Sequence, residues 1–237
     1  MTHGPAIAID RVSFAYPDGA AALHGIAFEL AHGERVAIIG ANGAGKSTLL
    51  LHLNGLILPT SGTITVEGIR LERASRRDIR RRVGLVFQNP DDQLFCPTVF
   101  DDIAFGPRNM GLDENEVAAR VRACLTSVGL DGAANKCAFH LSQGQKRRAA
   151  IATVLAMRPA IVVLDEPTSN LDPRGRKDAI ALLRQLSATM IVATHDLPLV
   201  NALCPRTILL SQGRVAADGP TAAILADTAL LESHNML

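Results

Sequence analysis

Gly40-Ala41-Asn42-Gly43-Ala44-Gly45-Lys46-Ser47 reads G-x-x-x-x-G-K-[ST], and this octapeptide decides how the rest of the 237-residue chain is read. Before it, Arg35-Val36-Ala37-Ile38-Ile39 has the apolar run of a short strand. After it, Ser47-Thr48-Leu49-Leu50-Leu51-His52-Leu53 has the first turns of a helix. Strand, glycine loop and helix start together describe a phosphate-binding loop. Its glycines let backbone N–H groups turn inward around a polyphosphate, the helix N-terminus adds partial positive charge, and Lys46 brings a full one. Ser47 stands where its hydroxyl can ligate Mg2+.

With 48% hydrophobic residues the chain can bury one large core, or a core with a smaller attached part, and its patterning is that of an α/β protein. A formal net charge of +1 supplies no global field toward nucleic acid or an anionic membrane. No apolar run has the length of a spanning helix, and Met1-Thr2-His3-Gly4-Pro5 lacks a signal-peptide pattern, so the chain is expected in the cytoplasm. Cys96, Cys124, Cys137 and Cys204 have no paired spacing and read as reduced thiols.

Upstream of the loop, Ala6–Asp10 and Val12–Tyr16 alternate as strands closed by Pro17-Asp18-Gly19, and Gly25–Leu30 is a further strand. Tyr16, the only tyrosine, can stack on a base or merely cover a strand end. Downstream, Thr63–Glu67 alternates as an exposed antiparallel strand, and seven arginines between Arg70 and Arg82 read as a solvated helix face. Val83–Phe87 is an apolar strand ending at Gln88-Asn89-Pro90. Gln88 is either a polar residue before a turn or an amide that reaches Mg2+ or the attacking water. From Pro97 to Phe139 the pattern is helical, with Asp113 and Glu116 able to cap.

Leu141-Ser142-Gln143-Gly144-Gln145 opens a helix to about Met157. Ser142 and Gln145 form a capping box and Lys146-Arg147-Arg148 an exposed basic turn, but neither explains Gly144 in the first turn. Glycine there permits close approach of a phosphate, so this is a candidate second anion site. Ile161–Leu164 is a strand of the parallel kind ending in Asp165-Glu166. Asp165 is placed to hold the Mg2+ hydration shell and Glu166 to take a proton from water. Met190–Thr194 delivers His195 to the same edge, where it can contact a γ-phosphate.

Gly40–Ser47, Gln88, Leu141–Gln145, Asp165-Glu166 and His195, in this order, resemble an ATP-binding-cassette (ABC) ATPase over nearly the whole chain. That resemblance implies a P-loop NTPase fold of one domain, 1–237, with a RecA-like, mostly parallel sheet core. An antiparallel β subdomain falls within about 5–35 and 60–87, and an inserted helical subdomain at about 91–150. It implies ATP and Mg2+ as cofactors. Tyr16 would stack on adenine, and Gly40, Asn42, Gly43, Ala44, Gly45, Lys46, Ser47 and Thr48 would hold the phosphates. Ser47, Gln88 and Asp165 would serve the metal, and Glu166, His195 and Gln88 catalysis. Ser142, Gln143, Gly144 and Gln145 would meet the nucleotide of a second subunit, with Asp172 across the interface. One departure is plain: Gln143 stands where the L-S-G-G-Q signature has its first glycine.

Gln88–Phe95 and Gly144–Arg148 further resemble the ATPases of energy-coupling-factor importers, especially those for cobalt and nickel. That implies a second ATPase subunit, with a homodimer favoured because one chain carries both a phosphate-loop half and a signature half and pairing with a different ATPase the open alternative, peripheral to the cytoplasmic face of a cell membrane, such as a bacterial inner membrane. It also implies a transmembrane scaffold (T component), a substrate-binding membrane component and no nucleic acid. Asp91, Asp92, Leu94 and Phe95 would be the partner surface. A biotin or other vitamin importer is the nearest rival. Soluble cassette ATPases of repair or translation usually carry two cassettes, coiled coils or zinc cysteines, none of which is in this sequence.

Overall fold

The computed structural model describes residues 4–236; Met1, Thr2 and His3 of the leader reading, and Leu237 of the tail, lie outside the described residues. β1 (Ile7–Ala15) and β2 (Ala21–Leu30) pair antiparallel across a turn in which the Gly19 N–H donates to the Tyr16 carbonyl at 2.9 Å. The two runs read as separate strands are one, broken in register at Arg11, which has φ 47°. β3 (Arg35–Ile39) enters the glycine loop and α1 (Lys46–Leu53) leaves it. β4 (Ser61–Val66) and β5 (Ile69–Arg70) complete a four-stranded sheet in the order β2-β1-β4-β5. β4 is not the exposed strand its composition suggested: Ile64 and Val66 are fully buried, because this sheet lies over the core.

The chain continues through α2 (Arg76–Arg82), β6 (Val83–Val86), α3 (Val99–Asn109), α4 (Glu114–Ser127) and α5 (Gln143–Leu155). Then follow β7 (Ile161–Asp165), α6 (Pro173–Arg184), β8 (Thr189–Ala193), α7 (Leu197–Leu203), β9 (Arg206–Ser211), β10 (Arg214–Pro220), α8 (Thr221–Ala226) and α9 (Thr228–Ser233). The second sheet has six strands in the order β10-β9-β3-β8-β7-β6, parallel except for β10 on β9. β6 therefore belongs to the parallel sheet, not to the antiparallel part into which the division at residue 87 would put it. Its all-buried V-G-L-V run suits a strand covered on both faces.

Alternation within these strands feeds two cores. Val36, Ile38, Val163 and Ile191 face α1 and the antiparallel sheet, while Ala37, Ile39, Val162 and Val192 face the helical side. α4 starts as its sequence predicts, with Asp113 Oδ1 accepting the N–H groups of Asn115 (3.0 Å) and Glu116 (3.1 Å). Among the described residues no helix is long and apolar enough to cross a membrane.

Candidate functional site

The parallel register gathers the sequence motifs on one edge. Asp165 lies opposite Ala193, which lies opposite Ile38, and Val86 lies opposite Leu164. The glycine loop, Gln88, Asp165-Glu166 and His195 thus leave the carboxyl ends of β3, β6, β7 and β8, the side on which open α/β sheets bind ligands.

The loop's glycines are required by contact as well as by conformation. A Cβ on Gly40 would stand 2.3 Å from the Leu210 carbonyl oxygen, and one on Gly45, at φ 99°, 2.7 Å from that of Ala22. Asn42 and Gly43 are exposed on the outer side of the loop, and the Ala44 methyl is buried. Lys46 is 7% exposed and donates from Nζ to the loop's own carbonyls, Gly40 at 2.6 Å and Ala41 at 3.1 Å. Burial lowers its pKa, opposed by Glu166 and Asp165. Thr48 is buried with Oγ1 2.9 Å from the Tyr16 hydroxyl, which it supports. Tyr16 rests edge-on against Phe14, with ring centroids 4.9 Å apart, and stays partly exposed.

Asp165 is 8% exposed, and its Oδ1 has no hydrogen-bond partner among the described residues. Burial raises its pKa, while the hydrogen-bonded Ser47 hydroxyl and the charge of Lys46 draw it back. A buried, unpartnered carboxylate oxygen beside a hydroxyl fits a hard divalent cation. Among the described residues no group of three or more His, Cys, Asp or Glu could hold a metal ion.

Glu166, in the left-handed region at φ 46°, is 5% exposed. Its Oε2 accepts the Thr194 hydroxyl at 2.8 Å, and its Oε1 accepts the His195 backbone N–H at 3.1 Å and lies 2.7 Å from His195 Nδ1. Because the carboxylate only accepts, Nδ1 carries the proton in this pair, while the ring stays largely exposed. Thr194, read from the sequence only as a strand end, holds Glu166, and its Oγ1 also accepts the Asp196 N–H at 3.0 Å.

At α5 the capping box is closed, Gln145 N–H to Ser142 Oγ at 3.3 Å and Ser142 N–H to Gln145 Oε1 at 3.0 Å. A Cβ on Gly144 would meet nothing within 4 Å. A cleft of about 350 Å3 runs from Ser142–Gln145 to Asp172, which caps α6 by accepting the Gly175 N–H at 2.8 Å, and no residue of the phosphate loop lines it. The basic turn is not exposed. Arg147 is 2% exposed and donates to the carbonyls of Phe87 (2.8 Å) and Gln88 (2.6 Å) and to Ser169 Oγ (3.3 Å). Lys146 reaches Asp91 at 2.7 Å. The signal for Arg147 lay in helical spacing: it precedes Ile151 by one turn and Val154 by two, on the buried stripe.

The expected partner surface divides. Leu94 is 7% exposed and belongs to the core, so it anchors the segment instead of meeting a partner; Phe95 is 64% exposed. Asp91 is held by Lys146, and Asp92 is exposed with Oδ1 3.3 Å from Asn89 Nδ2. The arginine-rich stretch is exposed at Arg73, Arg77, Arg80 and Arg81, as a solvated face is, and these four line a cleft together with Arg76.

A family model described as ABC transporter matches residues 23–169. A Streptomyces coelicolor protein whose name assigns it to the ABC transporter ATP-binding proteins is 53% identical over 228 residues, 96% of this chain and 88% of its own. The energy-coupling factor transporter ATP-binding protein EcfA of Methanothermobacter thermautotrophicus is 46% identical over 235 residues, 97% of this chain and 76% of its own. Among solved structures, cbiO1 of Clostridium perfringens, described as part of the ABC transporter complex cbiONQ, superposes with TM-score 0.85. It is 37% identical, over 98% of this chain and 95% of that one.

Proposed function

The chain belongs to the ABC transporter ATPases, with energy-coupling factor ATP-binding proteins among its relatives, and from that premise we propose that it powers uptake of cobalt or nickel ions. The observation that carries the ATPase chemistry is the convergence of Lys46, Ser47, Asp165 and Glu166 on one sheet edge, with Asp165 Oδ1 buried and unpartnered. In this reading Tyr16 stacks on adenine, and the loop N–H groups with Lys46 hold the phosphates, Lys46 exchanging its two carbonyl partners for them. Ser47, Asp165 and Gln88 hold Mg2+, which when bound neutralises charge on the β- and γ-phosphates. Glu166, oriented by Thr194, takes the proton of the attacking water, and His195 turns its ring from Glu166 to the γ-phosphate.

A second copy supplies Ser142–Gln145 and Asp172, since the cleft at that helix start contains no phosphate-loop residue of its own chain. The dimer lies on the inner face of the membrane, and the cleft beside Phe95 receives the scaffold subunit. The metal cargo rests on the likeness of Gln88–Phe95 and Gly144–Arg148 to cobalt and nickel importer ATPases.

The test is energised uptake of labelled Co2+, Ni2+ and biotin by cells carrying the native membrane subunits with either this chain or its Lys46→Ala variant. Metal uptake lost with the variant is the expected result. A fall in biotin uptake alone would replace the cargo, and uptake independent of this chain would remove the transport reading for all three.

A further inference from the structure

Behind Tyr16 stands an aromatic support that the chemistry described above does not use. Phe14, near the end of β1, and Tyr16, just beyond it, are two residues apart, while Thr48 and His52 are one turn apart on α1. The four side chains close a circuit. The Tyr16 hydroxyl is 2.9 Å from Thr48 Oγ1, the Tyr16 and Phe14 ring centroids are 4.9 Å apart, and those of Phe14 and His52 are 4.8 Å apart. His52 is fully buried and donates from Nδ1 to the Thr48 carbonyl at 2.7 Å. Burial lowers its pKa, opposed by the Thr48 and Leu58 carbonyls, so it packs as a neutral ring. Tyr16 alone of the four is exposed.

We infer that Phe14 and His52 are positioning residues for nucleotide binding: they hold the Tyr16 ring in the plane in which it stacks on the base, before the base arrives. The inference rests on the stacking reading of Tyr16 above and adds what fixes that ring. A tyrosine at a strand end turns about two side-chain bonds, and a ring that the ligand itself must order binds more weakly by the entropy of ordering. Here the hydroxyl end is tied to α1 and the edge is set by Phe14. Phe14 in turn is backed by a buried ring anchored on the backbone of α1. Both aromatic contacts are edge to face, at 81° and 79°, a geometry that restrains rotation of each ring against the next. None of these contacts involves Lys46, whose ammonium stays on the loop carbonyls, so the support bears on the base and not on the phosphates.

The chain has one tyrosine and no tryptophan, so its tyrosine fluorescence reports Tyr16 alone. The test compares the full chain with its Phe14→Leu, His52→Leu and Tyr16→Ala variants, each checked for fold by its unfolding midpoint. Tyrosine anisotropy is read without nucleotide, and affinity is read by calorimetric titration, in Mg2+, with ADP and with pyrophosphate, which has no base. Phe14→Leu should lower the anisotropy, weaken ADP binding about three- to tenfold and leave pyrophosphate binding unchanged. His52→Leu, acting through Phe14, should weaken ADP binding about twofold with the same selectivity, and it decides alone if Phe14→Leu does not fold. Tyr16→Ala should weaken ADP at least as much as Phe14→Leu. Unchanged anisotropy, unchanged ADP affinity, or equal losses for ADP and pyrophosphate in the Phe14 and His52 variants would overturn the inference. The stacking reading would then still stand on a selective loss in Tyr16→Ala. If Tyr16→Ala binds ADP as tightly as the unaltered chain, the stacking reading falls and the inference with it.

Discussion

Two helices of this protein begin at glycine-bearing motifs and begin in opposite ways. α1 starts at Gly45 in the left-handed region with no side-chain cap, and its lysine lies folded on the loop's carbonyls. α5 starts at Ser142 with both halves of a capping box closed. An uncapped start leaves backbone N–H donors for a ligand. A capped one has its Ser142 and Gln145 N–H groups already bonded inside the chain. The phosphate loop is therefore built around its ligand, while the signature helix is a rigid piece that a nucleotide must approach from outside.

That contrast is open to attack, beginning with the largest effect. Lys46→Ala should lower steady-state phosphate release about a hundredfold or more, because no other cation of the loop replaces it. An equal loss on Ser142→Ala would erase the distinction between the two helix starts. Glu166→Gln should reduce turnover by about a hundredfold while nucleotide binding, measured by equilibrium titration, is kept.

Stability separates the two regions further. Arg147→Met would leave the Phe87 and Gln88 carbonyls without their donor and should cost about 3 kcal/mol in urea unfolding. Gly45→Ala forces a methyl toward the Ala22 carbonyl at an unfavourable φ and should cost about 2 kcal/mol. Ser142→Ala opens only a cap, worth about 1 kcal/mol by the same measurement. A larger cost for Ser142→Ala than for Gly45→Ala would reverse the comparison.

The nucleotide side was legible because each of its motifs is contiguous. Glycine spacing, an apolar run and the residue after it name a strand end and the chemistry it carries. What escaped depends on elements remote in sequence. Thr194 matters because β8 lies beside β7, which brings its hydroxyl to Glu166. Arg147 read as surface because its neighbours Lys146 and Arg148 are charged, yet it closes on carbonyls about 60 residues upstream. Leu94 looked like partner surface from its place beside Asp91, Asp92 and Phe95, and packing put it inside.

By itself the sequence determined that this is an α/β nucleotide-binding chain with a phosphate loop, acidic strand ends and a cappable helix. Those features follow from local periodicity and from the stereochemistry of single residues. Only the tertiary structure decided which groups are buried and which partners they meet: Glu166 held by Thr194 and His195, Arg147 bridging α5 to the end of β6, and the arginines of α2 facing two phenylalanines across a cleft. The physical reason is that burial and pairing are set by sheet order and helix packing, and those bring together residues whose separation along the chain carries no periodic signal.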